Sequence, residues 1–180
     1  FYCVFIVVIP IFLCAGILLR TSPKKTERFS IFVGAYQKPE STLNSKIEGF
    51  LQGFSSKDIK ITCVDVSNEF FDSRYGTEGI MSDIVIMPEN SLNRIDKSLF
   101  VEFDSNSQFY ADDNYVFETK HIGIEFYNNG SGYWSEYLDY LEEKYYLFIN
   151  TNSVHTKGIT ENGKDNQILT LLDGIKNEEN

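Results

Sequence analysis

The sequence predicts an α/β protein: a transmembrane helix at residues 1–19, a basic linker at 20–28, and one three-layer domain at 29–176 on a mainly parallel sheet. Three observations predict it. The opening "FYCVFIVVIPIFLCAGILL" carries no charge. Beyond it, strand-length apolar runs alternate with segments of helical spacing, the pattern of an open sheet with crossover helices. The run "SDIVIMP" is apolar on both faces, as a parallel strand covered by helices on either side requires.

The opening segment spans about 28 Å as a helix, close to the hydrocarbon thickness of a bilayer. Pro10 is compatible with a helix in lipid, which can kink and keep most of its hydrogen bonds. The run is longer than a signal-peptide core and exits into "RTSPKKTER" with no A-x-A site, so an uncleaved anchor is expected. Arg20, Lys24, Lys25 and Arg28 follow it, a flank that the positive-inside rule would keep in the cytoplasm. An outward domain therefore needs a further basic segment ahead of Phe1.

About 150 residues remain for one domain with one core. The chain carries a net charge of −10, which argues against a nucleic-acid partner, since phosphate-backbone binding needs a basic surface. Cys3 and Cys14 lie in the opening segment, so Cys63, inside "IKITCVDV", has no disulfide partner in the domain. It is expected to act as a small buried hydrophobe.

The elements follow in order. "RFSIFVGAY" reads as a first strand. In "PESTLNSKIEGFLQGF", Leu43, Ile47, Phe50, Leu51 and Phe54 form one helical stripe, and Ser41 or Thr42 can cap its start. "DIKITCVDV" gives a second strand and "SDIVIMP" a third, with a short helix between Phe70 and Met81. "SLNRIDKSLF" suggests another short helix. From Val101 to Asn128 the chain alternates as extended backbone, "NNGSGYW" turns, and "SGYWSEYLDYLEEK" takes helical spacing through Trp134, Leu138, Leu141 and Tyr145. "YYLFIN" is a buried strand, and "NQILTLLDGI" closes the domain as an amphipathic helix.

A strand running from Ser82-Asp83-Ile84-Val85 into a polar turn, and a late strand reaching Asn152-Ser153-Val154-His155 ahead of a helix, resemble the extracellular solute-binding proteins of ABC importers. The resemblance covers residues 29–104 and 144–175. It implies a type 2 periplasmic-binding-protein-like fold reduced to one lobe, because only residues 105–144 stand where a second lobe would be. It further implies a bacterial protein held in the cell membrane by a single pass, with its domain on the extracytoplasmic side. The implied partners are an ABC permease or another membrane protein.

Ligands of open α/β sheets sit beyond the carboxyl ends of the strands. That rule selects Tyr36 and Gln37 after the first strand, Glu89, Asn90 and Ser91 after the third, and Asn152 and Ser153 after the late strand. Amides, hydroxyls and an aromatic face suit a sugar or a peptide, although the same residues are common wherever a strand must stop.

Catalytic, metal and cofactor signatures are not found. His121 and His155 stand in no metal-spaced motif. Gly130-Ser131-Gly132 lacks the lysine of a phosphate loop, and Asp112-Asp113 reads as an exposed acidic turn. The expected function is therefore non-catalytic: binding a small solute or a transporter partner. The alternatives are a structural or protein-interaction domain that has lost its cleft, and a hydrolase of unrecognised type.

Overall fold

The computed structural model describes residues 28–35, 58–67, 81–132 and 143–177. Outside them lie the opening segment 1–19, the linker as far as residue 27, the helix expected over 39–54, most of the segment 70–81, residues 133–142 of the helix expected over 131–144, and Tyr36 and Gln37.

Strands β1 (Arg28–Ala35), β2 (Asp58–Asp65), β3 (Ile84–Pro88), β4 (Tyr115–Phe117), β5 (Lys120–Asn128), β6 (Ser131–Gly132) and β7 (Lys144–Ile149) form one sheet. Its order is β2-β1-β3-β7-β5-β4, with β6 also on β5. β1 pairs in parallel with β2 and β3, whereas β3–β7, β7–β5, β5–β4 and β5–β6 are antiparallel.

The central strands are apolar on both faces because both faces are covered. Phe29, Ile31, Val33 and Ala35 of β1 join Ile84 and Ile86 of β3, and Leu147 and Ile149 of β7, in one core cluster. Helix α1 (Gln167–Asn177) closes that face with Ile168, Leu171 and Leu172. Phe32, Val85, Met87, Tyr146 and Phe148 point the other way. Against them pack Leu92 and Ile95, carried by and just after a 3₁₀ turn at Glu89–Arg94. A second such turn spans Lys97–Leu99. Residues 100–103 then extend the lower edge, with the Val101 amide donating to the Ile149 carbonyl and the Phe103 amide to that of His121.

Several expectations are corrected. The domain is not a three-layer α/β unit on a mainly parallel sheet, nor a periplasmic-binding-protein-like lobe: the sheet is mixed and strands dominate the described residues. The physical reason lies in two hairpins. Phe117 pairs with Lys120, and Asn128 with Ser131, so two-residue loops connect β4–β5 and β5–β6. Loops of that length permit only antiparallel neighbours. "SLNRIDKSLF" forms 3₁₀ turns rather than an α-helix, and Tyr145, expected at the end of a helix, is core in β7.

The single-pass membrane placement is also unsupported. Among the described residues no helix is long and apolar enough to cross a membrane. Helix α1, at 11 residues, is about 17 Å long against a hydrocarbon core of about 30 Å. The segment 1–19 that carried the expectation lies outside the described residues.

Candidate functional site

Strand direction decides which polar turns can meet. β3 ends where β7 begins, since Pro88 pairs with Tyr145 and Ile84 with Ile149. Glu89, Asn90 and Ser91 therefore lie at one edge of the sheet, and Asn152 and Ser153 at the opposite edge. The structure does not bring these two groups into a common cleft.

At the first edge Glu89 and Asn90 are exposed, while Ser91 is buried. The Asn90 amide donates to Glu143 Oε1 at 2.8 Å, so this side chain already spans two elements. Burial pushes the phenols of Tyr115 and Tyr146 above their usual range, and the nearby Glu89 carboxylate pushes them further the same way. Lys144 donates to Glu125 at 2.9 Å, and that hydrogen bond holds its ammonium pKa above the usual lysine range.

The opposite edge is a hydrogen-bonded knot. Asp83 Oδ2 accepts from the Ser30 amide at 2.8 Å and from the Ser30 hydroxyl at 2.7 Å. Its Oδ1 accepts from the Ser153 hydroxyl at 2.7 Å. Ser153 Oγ in turn accepts from the His155 amide at 3.1 Å. Asn152 is exposed, and its amide donates to Asn150 Oδ1 at 2.8 Å, a local turn.

The fully buried His155 ring contacts Asp165 at 2.8 Å through Nδ1 and the Arg28 carbonyl through Nε2. It also stands edge-on to Phe29, with ring centroids 5.3 Å apart. Ser153, His155 and Asp165 are thus close in space but do not form a nucleophile and its base. The serine hydroxyl faces Asp83, and the imidazole faces away from it. Their chemistry is structural, tying β1, β3, β7 and the approach to α1 together.

Concavity appears beside this knot. One recess of about 480 Å³ is walled by residues 102–109 on one side and by Gly158, Ile159 and Leu169 on the other. Phe103 and Phe109, with centroids 5.9 Å apart, belong to its wall, and Glu102, Asp104, Asn106 and Gln108 bring polar groups to it. A second recess of about 430 Å³ adjoins it and is lined by Lys157, Lys164, Asp165 and Asn166. The two share Gly158 and Leu169. Both volumes fall within the range of small-molecule sites.

The shared wall is fixed by its backbone. The Lys157 amide donates to the Asp165 carbonyl at 2.8 Å, and the Lys164 amide to the Val154 carbonyl at 2.6 Å. Thr156 and Thr160 share a hydroxyl contact of 2.6 Å. The loop can fold this closely because residue 163 is glycine: a Cβ there would stand 2.6 Å from the Lys157 Cα. Reading strand ends missed these recesses. The signal available was the polar run "HTKGITENGKDNQ", with its two glycines, between a buried strand and a helix.

Tyr36 and Gln37 lie outside the described residues. Among the described residues no three His, Cys, Asp or Glu side chains converge as metal ligands. Comparison with known proteins adds no relative and no support for a solute-binding protein of ABC importers: no family model, no curated protein and no solved structure matches the chain.

Proposed function

We propose that the domain is a non-catalytic binder of a small polar solute, a sugar or a short peptide, and that it holds this ligand in the recess between residues 102–109 and Gly158–Leu169. The observation that carries the reading is the recess itself, about 480 Å³ with amide, hydroxyl and carboxylate groups set around a phenylalanine pair. Its lining is more polar than the mainly apolar wall of most small-ligand sites, which suits a polar solute. The recess is open on one side, so the ligand stays partly wet and affinity is weak, on the order of 0.1–1 mM or roughly 4–5.5 kcal/mol.

Titration of the full chain with sugars, amino acids and short peptides, followed by NMR shifts, tests the reading. Shifts at Asn106, Gln108, Phe109 and Gly158 support it. No shift at millimolar ligand, or shifts confined to Glu89 and Asn90, removes it. A second reading, a protein-interaction domain, draws on Tyr110 and Val116, which are exposed beside His121 at the β4 end of the sheet.

A further inference from the structure

Resting on that reading, we infer that the two adjoining recesses form one site for a short zwitterionic peptide, its ammonium terminus in the first and its carboxylate terminus in the second. The inference comes from how charge is divided across a shared wall. The first recess carries the carboxylates of Glu102 and Asp104 and no cation in its lining. The second carries the ammonium groups of Lys157 and Lys164. Gly158 and Leu169 belong to both, so a ligand lying over that wall reaches both charges.

The neighbouring charges sharpen this division. Glu102 is paired at 2.9 Å with Lys120, which leaves Asp104 as the main acidic group facing the first recess. Asp104 Oδ1 accepts from the Asn106 amide at 2.9 Å, which orients the carboxylate and leaves its other oxygen for a ligand. In the second recess the Asp165 carboxylate is held by the His155 ring at 2.8 and 2.9 Å, and the two lysine ammonium groups outnumber its single negative charge. Lys157 and Lys164 are exposed, and neither ammonium has an ion-pair partner among the described residues.

Length agrees with charge. Recesses of 480 and 430 Å³ are each about 9.5 Å across as spheres, so the centres of two touching spheres of that size are bridged by about three residues of extended chain at roughly 3.3–3.6 Å per residue. Apolar side chains of modest size would lie against Leu169 and Ile159, between the two polar ends.

The test uses the full chain with trialanine, its N-acetylated form, its C-amidated form, and glucose as an uncharged probe. The unmodified peptide is expected to shift amides at both Asn106 and Lys157, and to weaken as salt is raised. Blocking either end should weaken binding about tenfold, the value of one charge-assisted contact.

Asp104→Asn should weaken the unmodified peptide but not the acetylated one. The Lys157→Gln, Lys164→Gln double variant should weaken it but not the amidated one. All three positions are exposed, and an unchanged amide spectrum without ligand verifies each variant's fold. Equal affinity for blocked and unblocked peptides overturns the inference. Glucose shifting the first recess while trialanine stays silent also overturns it and leaves solute binding standing. Silence from every probe overturns both.

Discussion

Asp83 ties three parts of the fold together through one side chain. Three donors converge on its carboxylate, from the Ser30 amide, the Ser30 hydroxyl and the Ser153 hydroxyl, and they tie β3 to β1 and to the turn after β7. Truncation leaves those donors in a site that is buried at Ser153 and partly buried at Ser30, at about 1–3 kcal/mol. Asp83→Ala is therefore expected to lower the denaturation midpoint by that amount; a loss below about 0.5 kcal/mol would mean that water replaces the carboxylate freely. The tyrosines add a dependence on pH. Burial raises the folded-state pKa of Tyr115 and Tyr146 above 10.0, so the folded chain holds these protons longer than the unfolded one. Their contribution is complete below the unfolded value and is lost as pH rises through the folded one. Stability measured by denaturant at rising pH should fall beyond about pH 10, and Tyr115→Phe with Tyr146→Phe should flatten that fall. An unaltered slope would show that the two phenols ionise alike in both states.

Elements show where sequence patterns sufficed and where they did not. "SDIVIMP" reads as a buried central strand, and Val85 is fully buried between β1 and β7. Val85→Asp would place a carboxylate among Phe32, Met87 and Phe148. The cost of several kcal/mol consumes much of a total stability of about 5–15 kcal/mol. An unchanged melting temperature in that variant would contradict the core position. The hairpins were less legible. Asn129 and Gly130 take φ values of 45° and 88°, the conformation that Asn-Gly favours in a two-residue loop. Glu118 and Thr119 take 48° and 76° in the equivalent loop, where their residue types give no such signal. A β-branched side chain in the left-handed region costs about 1–2 kcal/mol, part of which glycine returns in unfolded-state entropy. Thr119→Gly should therefore stabilise by about 0.5–1 kcal/mol and raise the melting temperature by about 1–4 °C. A fall would show that Thr119 makes a compensating contact. Register has a similar history. A bulge between Glu125 and Tyr127 places Phe126 and Tyr127 in one core cluster, which strict alternation forbids.

Across the molecule, one strand's direction separates what was legible from what was not. The apolar runs locate β1, β3 and β7, and periodicity locates α1 with Ile168, Leu171 and Leu172 buried. Neither carries direction. With β7 parallel, Asn90 and Asn152 would close on one ligand; with β7 antiparallel, they stand at opposite ends of it. The strand has 6 residues, so the two turns are separated by about 20 Å along it. Their side chains also enter different networks. The Asn90 amide reaches Glu143, whereas the turn of Asn152 closes on Asn150 through its own backbone. Sites this far apart are additive within about 0.3–0.5 kcal/mol. Asn90→Ala and Asn152→Ala should therefore combine without coupling, both in stability and in binding of any ligand the chain takes. A double-mutant cycle on denaturation midpoints measures the first, and the same cycle on peptide titrations measures the second. A coupling energy above about 1 kcal/mol in either would require the two turns to meet, and the antiparallel placement of β7 would be wrong.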